Sequence, residues 1–160
     1  MPSWNDVTAA APDLAARAQA LFDAHRHKTL ATLRRDGSPR ISGIEVTFKD
    51  GEMWLGMMPG SLKAHDLQRD PRLAVHSASD DPDDDDPQAW PGDAKAAGRA
   101  VEVTDEAVLA TWADDTPPGP FHLFRIDLTE LVATKVGDPA DHLVIDVWTA
   151  ADGLRQMKRA

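Results

Sequence analysis

The apolar positions of the chain follow a helical spacing near the N-terminus and a strand spacing over most of the rest. Within residues 13–25, Leu14, Ala18, Leu21 and Phe22 fall on one helical face, and Pro12 before them suits the first turn of a helix. This spacing predicts one amphipathic helix within an N-terminal helical segment of residues 1–28.

Strand-like alternation begins at residue 29. Residues 29–35 and 41–49 flank an Asp-Gly-Ser-Pro turn, so they are predicted to pair as a hairpin. The second of these strands alternates apolar and polar residues over 44–49. Asp50 and Gly51 then favour a tight turn into a third strand over 52–58, which completes a predicted three-stranded meander.

Further short elements follow this meander. Pro59 and Gly60 end the third strand, and Ser61 is expected to cap a helix over residues 62–69. A second helix is predicted over 105–114, with Thr104 as its cap and a proline-rich breaker at 116–120 behind it. Four more strands are predicted, over residues 73–76, 101–104, 121–136 (bent or bulged near Asp127) and 143–148.

Strands that outnumber the helices indicate a mainly β protein with an antiparallel barrel, because a parallel sheet would need a crossover helix between most strand pairs. At 160 residues, with 42% hydrophobic and 28% charged residues, the chain fits a single domain with a packed core. Six aspartates between residues 80 and 86 and three prolines predict a mobile surface loop over 79–93.

Charge and composition exclude several function classes. The formal net charge of −10 disfavours nucleic-acid binding. The chain has no cysteine, which excludes disulfides and thiolate metal sites, and neither its six histidines nor its aspartate run has the spacing of a known metal site. No apolar run approaches the ~18 residues that a membrane span needs and no signal segment is visible, so we expect a cytoplasmic protein.

The segment of residues 58–65, Met-Pro-Gly-Ser-Leu-Lys-Ala-His, carries the strongest chemical signal. A glycine–serine turn that opens a helix offers backbone N–H groups and a hydroxyl, and Lys63 adds a positive charge, so the segment can bind an anion such as a phosphate. The alternative is an ordinary serine cap beside a solvated lysine. Arg34, Arg35 and Arg40 flank the first predicted turn, either as solvated side chains or as further phosphate contacts.

The order of the hairpin, the third strand, the 60–65 segment and the Asp-Pro-Arg of residues 70–72 resembles the flavin-phosphate segment of the pyridoxamine phosphate oxidase-like superfamily. The resemblance covers residues 30–103 and, more faintly, 121–148. It implies a split β-barrel of the FMN-binding type that forms a homodimer, with a flavin between the subunits. The phosphate would be held by Ser61 and Lys63.

The same resemblance implies roles for six more residues, and Arg40 could add a contact to the phosphate. The stretch Ser42 to Ile44 would run beside the ring and ribityl chain, Gly56 and Met57 would face it, and Trp148 would lie near the partner's cofactor or in the core. The complete predicted set is Arg40, Ser42, Gly43, Ile44, Gly56, Met57, Ser61, Lys63 and Trp148.

Four positions depart from the pattern of the oxidase. Ser42 and Leu62 stand where it has arginines, Thr47 where it has a lysine, and Asp93 near where it has a glutamine. The loss of these polar and cationic groups disfavours oxidation of vitamin B6 phosphates.

Four functions stay open at this stage, one of which is a barrel that has lost its site and serves only as a dimeric interaction protein. The first is an FMN-dependent oxidoreductase acting on a small molecule, since FMN needs a single phosphate site. The second is a reductase that uses a 5-deazaflavin, whose acidic tail would require further lysine or arginine nearby. The third is a non-enzymatic flavin- or haem-binding module, with His65 as the first candidate haem ligand.

Overall fold

The computed structural model describes residues 1–115 and 119–160, so most of the predicted breaker, at residues 116–118, lies outside the described residues. Two helices open the chain, α1 (Trp4–Ala10) and α2 (Pro12–Asp23), and two more follow later, α3 (Leu62–Arg69) and α4 (Glu106–Ala110). The strands are β1 (Lys28–Leu33), β2 (Pro39–Ile44), β3 (Thr47–Lys49), β4 (Glu52–Met57), β5 (Arg72–His76), β6 (Asp93–Glu102), β7 (His122–Val136), β8 (Leu143–Thr149) and β9 (Gly153–Arg159).

The strands pair in the order β2-β1-β5-β6-β7-β4-β3, and every described pairing is antiparallel. Strands β2 and β3 are the two ends of this order, yet only Glu45 and Val46 separate them along the chain. Three Cα steps span at most about 11 Å, so the sheet must curl until its ends meet. In the described residues no ladder joins β2 to β3, and the barrel is therefore split along this β2–β3 seam. The predicted split barrel is confirmed.

Strand β7 belongs to two parts of the sheet. Its first residues pair with β4, and its later residues pair with β8, which in turn carries β9 as an outer strand. Opposite Ala97 and Gly98 the register shifts, which leaves Thr129 as an extra residue close to the predicted bulge. Strand β7 thus forms part of the barrel wall and also carries the outer hairpin β8–β9.

The core fills the barrel and continues beneath the N-terminal helices. Phe22 of α2, Leu30, Leu55 and Phe124 are among its fully buried members. Each such side chain stabilises the fold by about 1.5–3 kcal/mol relative to exposure. A second cluster lies outside the barrel under α4, where the rings of Trp54 and Trp112 are 5.4 Å apart.

Several sequence predictions are corrected. The expected strand 41–49 is two strands, because the chain turns at the seam between Ile44 and Thr47. Asp105, and not Thr104, caps α4, since its carboxylate accepts from the N–H groups of Ala107 and Val108. Helix α1 and strand β9 were not predicted, and β6 begins eight residues earlier than the strand expected at 101–104.

The acidic segment 79–93 contains a short 3₁₀ turn, Pro87–Ala89, before β6 begins at Asp93. It contacts the rest of the fold through Asp80, whose carboxylate lies 2.9 Å from His25 Nε2, and through Gln88, whose side-chain amide donates to the Gly137 carbonyl at 3.1 Å. Gly92 adopts φ +89° and passes so close to β7 that a Cβ there would lie 2.0 Å from the Thr134 carbonyl oxygen. Only glycine fits that crossing without displacing β7.

Candidate functional site

A capped turn joins β4 to α3. Gly60 has φ +69°, the Ser61 N–H donates to the Met58 carbonyl at 3.2 Å, and the Ser61 hydroxyl oxygen accepts from the Ala64 N–H at 3.4 Å. Ser61 is thus the N-cap of α3, as predicted. The first-turn amides that follow it point away from the helix body, where an anion is favoured.

Lys63 connects this turn to β2. Its Nζ donates to the Gly43 carbonyl at 3.1 Å, so the ammonium group lies against the strand that carries Ser42, Gly43 and Ile44. The structure therefore brings two distant parts of the predicted set together: the serine–lysine turn and the β2 glycine.

Gly43 on β2 and Gly56 on β4 are open positions on the outer surface of the barrel, which we call the glycine strip. Both are exposed, and no described atom lies within 4 Å of the position that a Cβ would take at either residue. Their strands, β2 and β4, approach within 8 Å between Cα atoms. A flat group can therefore approach the backbone here, beside the Lys63 ammonium.

Three members of the predicted set have side chains in the hydrophobic core. Ile44 and Met57 are about 5% and 4% exposed, and Trp148 on β8 is 5% exposed. Trp148 pairs with Leu131 on β7, whereas Gly56 pairs with Leu123. Eight residues of strand separate these positions by about 26 Å, so Trp148 is far from the strip of its own chain.

Arg40 belongs to a buried ion-pair network centred on Asp66. Arg40 Nε donates to Asp66 Oδ2 at 2.6 Å, an Arg69 terminal nitrogen donates to Oδ1 at 2.9 Å, and the Thr32 hydroxyl donates to Oδ2 at 2.8 Å. The Asp66 side chain is 3% exposed. Burial raises the pKa of Asp66, but the hydrogen bonds from Arg40, Arg69 and Thr32 have the larger combined effect and lower the pKa to about 2.

This network gives stability an acid limit. The pKa of Asp66 lies below its usual value of 3.8, so the ionised carboxylate stabilises the folded state. This stabilisation is complete above about pH 4 and is lost as the pH falls through about 2. We expect the unfolding free energy to decrease more steeply over that interval in the parent protein than in Asp66→Asn. Urea denaturation at a series of pH values measures both slopes, and parallel slopes would contradict this assignment.

A polar network that the sequence did not suggest lies beneath the turn. The His122 Nδ1–H donates to Glu102 at 2.7 Å, and the His122 Nε2 accepts from the Gly60 N–H at 3.4 Å. Gln68 donates to both oxygens of Glu102 and contacts His65 Nδ1 at 3.1 Å. Burial raises the pKa of Glu102, while the hydrogen bonds of His122 and Gln68 lower it below its usual value. These contacts fix the turn against β6 and β7.

The residues that the structure describes provide neither a metal-binding cluster nor a membrane-spanning helix. Among them, no group of three or more histidines and carboxylates could hold a metal ion. Over the same residues, no helix combines the length and the apolar character that a membrane crossing requires.

The match to a known protein family covers the strands and the helix that form this site. The sequence profile of the pyridoxamine 5'-phosphate oxidase family matches residues 14–135. A search of curated proteins found no match.

Three solved structures illustrate the likeness of fold. A pyridoxamine 5'-phosphate oxidase-related, FMN-binding protein from Nostoc punctiforme is 16% identical, with a TM-score of 0.62 over 100% of this chain and 98% of that one. A heme-binding protein from Mycobacterium smegmatis is 15% identical, with a TM-score of 0.59 over 92% and 88%. An F420 reductase is 18% identical, with a TM-score of 0.51 over 71% and 94%. At these identities the likeness concerns the fold.

Proposed function

Since the chain belongs to the pyridoxamine 5'-phosphate oxidase family, we propose that it is an oxidoreductase that binds FMN and acts on a small molecule. The observation that carries this proposal is the contact of Lys63 Nζ with the Gly43 carbonyl, because it puts a cation beside the open glycine strip. The Nostoc protein of the same fold is described as FMN-binding, which agrees with this choice.

The residues present fit an FMN. Ser61 and Lys63 would hold its phosphate at the first turn of α3, and Gly43 and Gly56 would let the ring system lie on the barrel surface. A bound flavin supplies hydride or electron transfer, so the chain need only bind, orient and shield it. We propose a cytoplasmic homodimer as the working unit, with Trp148 of one copy nearer to the cofactor of the other than to its own.

Absorbance and calorimetric titration with FMN test this function directly. We expect one FMN per chain and a dimer by size-exclusion chromatography. Consumption of NAD(P)H by the loaded protein, followed with candidate acceptors, separates an enzyme from a flavin-carrying module. Protein that binds neither FMN nor a deazaflavin would overturn the proposal.

Gly56→Leu should block the flavin without harming the fold. The leucine side chain would enter open space, so stability should change little or rise by up to about 1 kcal/mol, because a strand glycine is unfavourable. FMN affinity should fall roughly tenfold or more, since overpacking costs about 1–3 kcal/mol. Fluorescence titration measures the affinity; Ala74→Leu, at an exposed position of β5, is the control. Unchanged FMN affinity in Gly56→Leu would show that the flavin ring does not lie on this strip.

A deazaflavin-dependent reductase is the second candidate. The observation in its favour is a group of arginines beside α3, which could bind the acidic tail of such a cofactor. A haem-binding module is the third, because His65 is exposed on α3 beside the same arginines. Parallel titrations with FMN, a deazaflavin and haem distinguish the three, because haem alone gives a Soret band and each flavin its own absorption.

A further inference from the structure

A cleft of about 610 Å³ lies between the β1–β2 turn and α3. We call it the arginine cleft, because Arg34 and Arg35 line it from the turn, Arg40 from β2 and Arg69 from α3. Leu62 and His65 of α3 complete the side that faces these arginines. The cleft is open enough to admit a small molecule from solvent.

The charge of the arginine cleft is opposite to that of the whole chain. Four guanidinium groups face two carboxylates, Asp36 and Asp66, which leaves a local excess of two positive charges in a chain of net charge −10. The Asp36 carboxylate already accepts from the Ser38 N–H and hydroxyl at 2.9 and 2.6 Å. The local field therefore favours an anion.

Part of the arginine cleft is rigidly held. Asp66 fixes Arg40 through Nε and Arg69 through one terminal nitrogen, and the same Arg69 nitrogen donates to the Leu33 carbonyl at 2.6 Å. A guanidinium group has five N–H donors, so donors remain on both side chains for a ligand. Positions fixed before binding lower its entropic cost.

The arginine cleft is separate from the serine–lysine turn. Leu62, His65, Asp66 and Arg69 are spaced i, i+3, i+4 and i+7, so they share one face of α3. Lys63 lies about 100° further round the helix and contacts Gly43. Arg40 precedes Gly43 by three residues on β2, which separates the two anchoring points by about 10 Å.

We propose that the arginine cleft is a second anion-binding site, which takes a small molecule with two or more phosphate or carboxylate groups. The side chain of Leu62, 62% exposed, offers an apolar contact for the organic part of that molecule. Two sources have this chemistry: an anionic substrate, or the acidic tail of an extended cofactor that is anchored at Lys63. The site itself does not depend on the proposed function.

Calorimetric titration with inorganic pyrophosphate at low ionic strength tests the site. Arg35→Gln should weaken binding about tenfold, which is what one charged hydrogen bond contributes. Arg35 is exposed, whereas Arg40 and Arg69 hold Asp66, so this variant should fold normally. Arg26→Gln is the matched control: it removes another exposed arginine, paired with Glu45, at the opposite end of the β1–β2 hairpin. Equal affinities in Arg35→Gln and Arg26→Gln would overturn the proposal.

Repeating the titration in saturating FMN separates this site from the flavin-phosphate site. Unchanged pyrophosphate affinity supports two sites, and loss of binding in FMN would mean one shared site and overturn the proposal. If FMN does not bind, the proposed function fails while the Arg35 and Arg26 comparison still stands. Titration with coenzyme F420 then identifies the source: weaker F420 binding in Arg35→Gln assigns the cleft to the tail, and pyrophosphate binding to F420-loaded protein assigns it to a substrate.

Discussion

Asparagine in place of Asp66 is expected to lower the free energy of unfolding by about 3–5 kcal/mol, the usual cost of removing one partner from a buried ion pair. The substitution keeps the size of the side chain but leaves Arg40 and Arg69 without their shared carboxylate. These two arginines connect β2 and α3, so the loss should loosen the contact between the hairpin and the helix. Chemical denaturation at neutral pH measures the change.

Asp70→Asn provides the comparison. Asp70 pairs with Arg72 at 2.6 Å, but the Arg72 side chain is 64% exposed, so solvent screens this pair and its loss should change the free energy of unfolding little. Equal destabilisation by the two substitutions would show that the Asp66 network adds nothing beyond a surface pair. A double-mutant cycle with Arg40→Gln should also give a coupling energy of at least about 1 kcal/mol.

Lys63→Ala is expected to weaken FMN binding by about 10- to 100-fold, the effect of one hydrogen bond to a charged group. The substitution leaves the strip without its cation, whereas the Ser61 cap and the helix remain. Fluorescence titration measures the dissociation constant, and thermal unfolding without FMN shows whether the fold is unchanged.

Lys95→Ala removes an equivalent charge from an exposed position of β6 and should leave FMN affinity within about twofold of the parent, because exposed charges at a distance are largely screened. Lys63→Arg should keep much of the affinity, since it retains the positive charge. An Lys63→Ala variant that binds FMN as the parent does would remove the serine–lysine turn from the proposed site.

Local sequence signals were sufficient to predict an element where one signal marks its first residue and another marks its last. Helix α3 begins after the Ser61 cap and ends before the Asp70-Pro71 pair, so its predicted range is the observed one. The break between β2 and β3 could not be read from the sequence, because alternation continues across it and the bend is imposed by barrel closure. Helix α1 did have a local signal, the Ser3 and Asp6 capping box. Strand β9 is largely exposed and has no apolar alternation to reveal it.

The candidate site was less accessible to sequence reasoning. The glycine–serine–lysine segment is contiguous, so its residues could be named together. The ion pair of Arg40 with Asp66 and the contact of His122 with Glu102 join residues 26 and 20 positions apart, and only the folded sheet brings them together. Ile44, Met57 and Trp148 were named for a flavin, yet their side chains lie in the core, since alternation alone does not say which face of a curled sheet a ligand would use.

The β2–β3 seam makes the two flanks of the barrel unequal in their resistance to opening. Strand β6 is bonded to β5 and β7 on its two sides, whereas among the described strands β2 is bonded to β1 alone. Widening the gap beside Gly43 therefore breaks no interstrand ladder, so this flank can yield in small excursions while the opposite wall stays closed. Deuterium should accordingly replace amide protons sooner along β2 than along β6. A ligand could enter beside Gly43 without the rupture of any interstrand hydrogen bond.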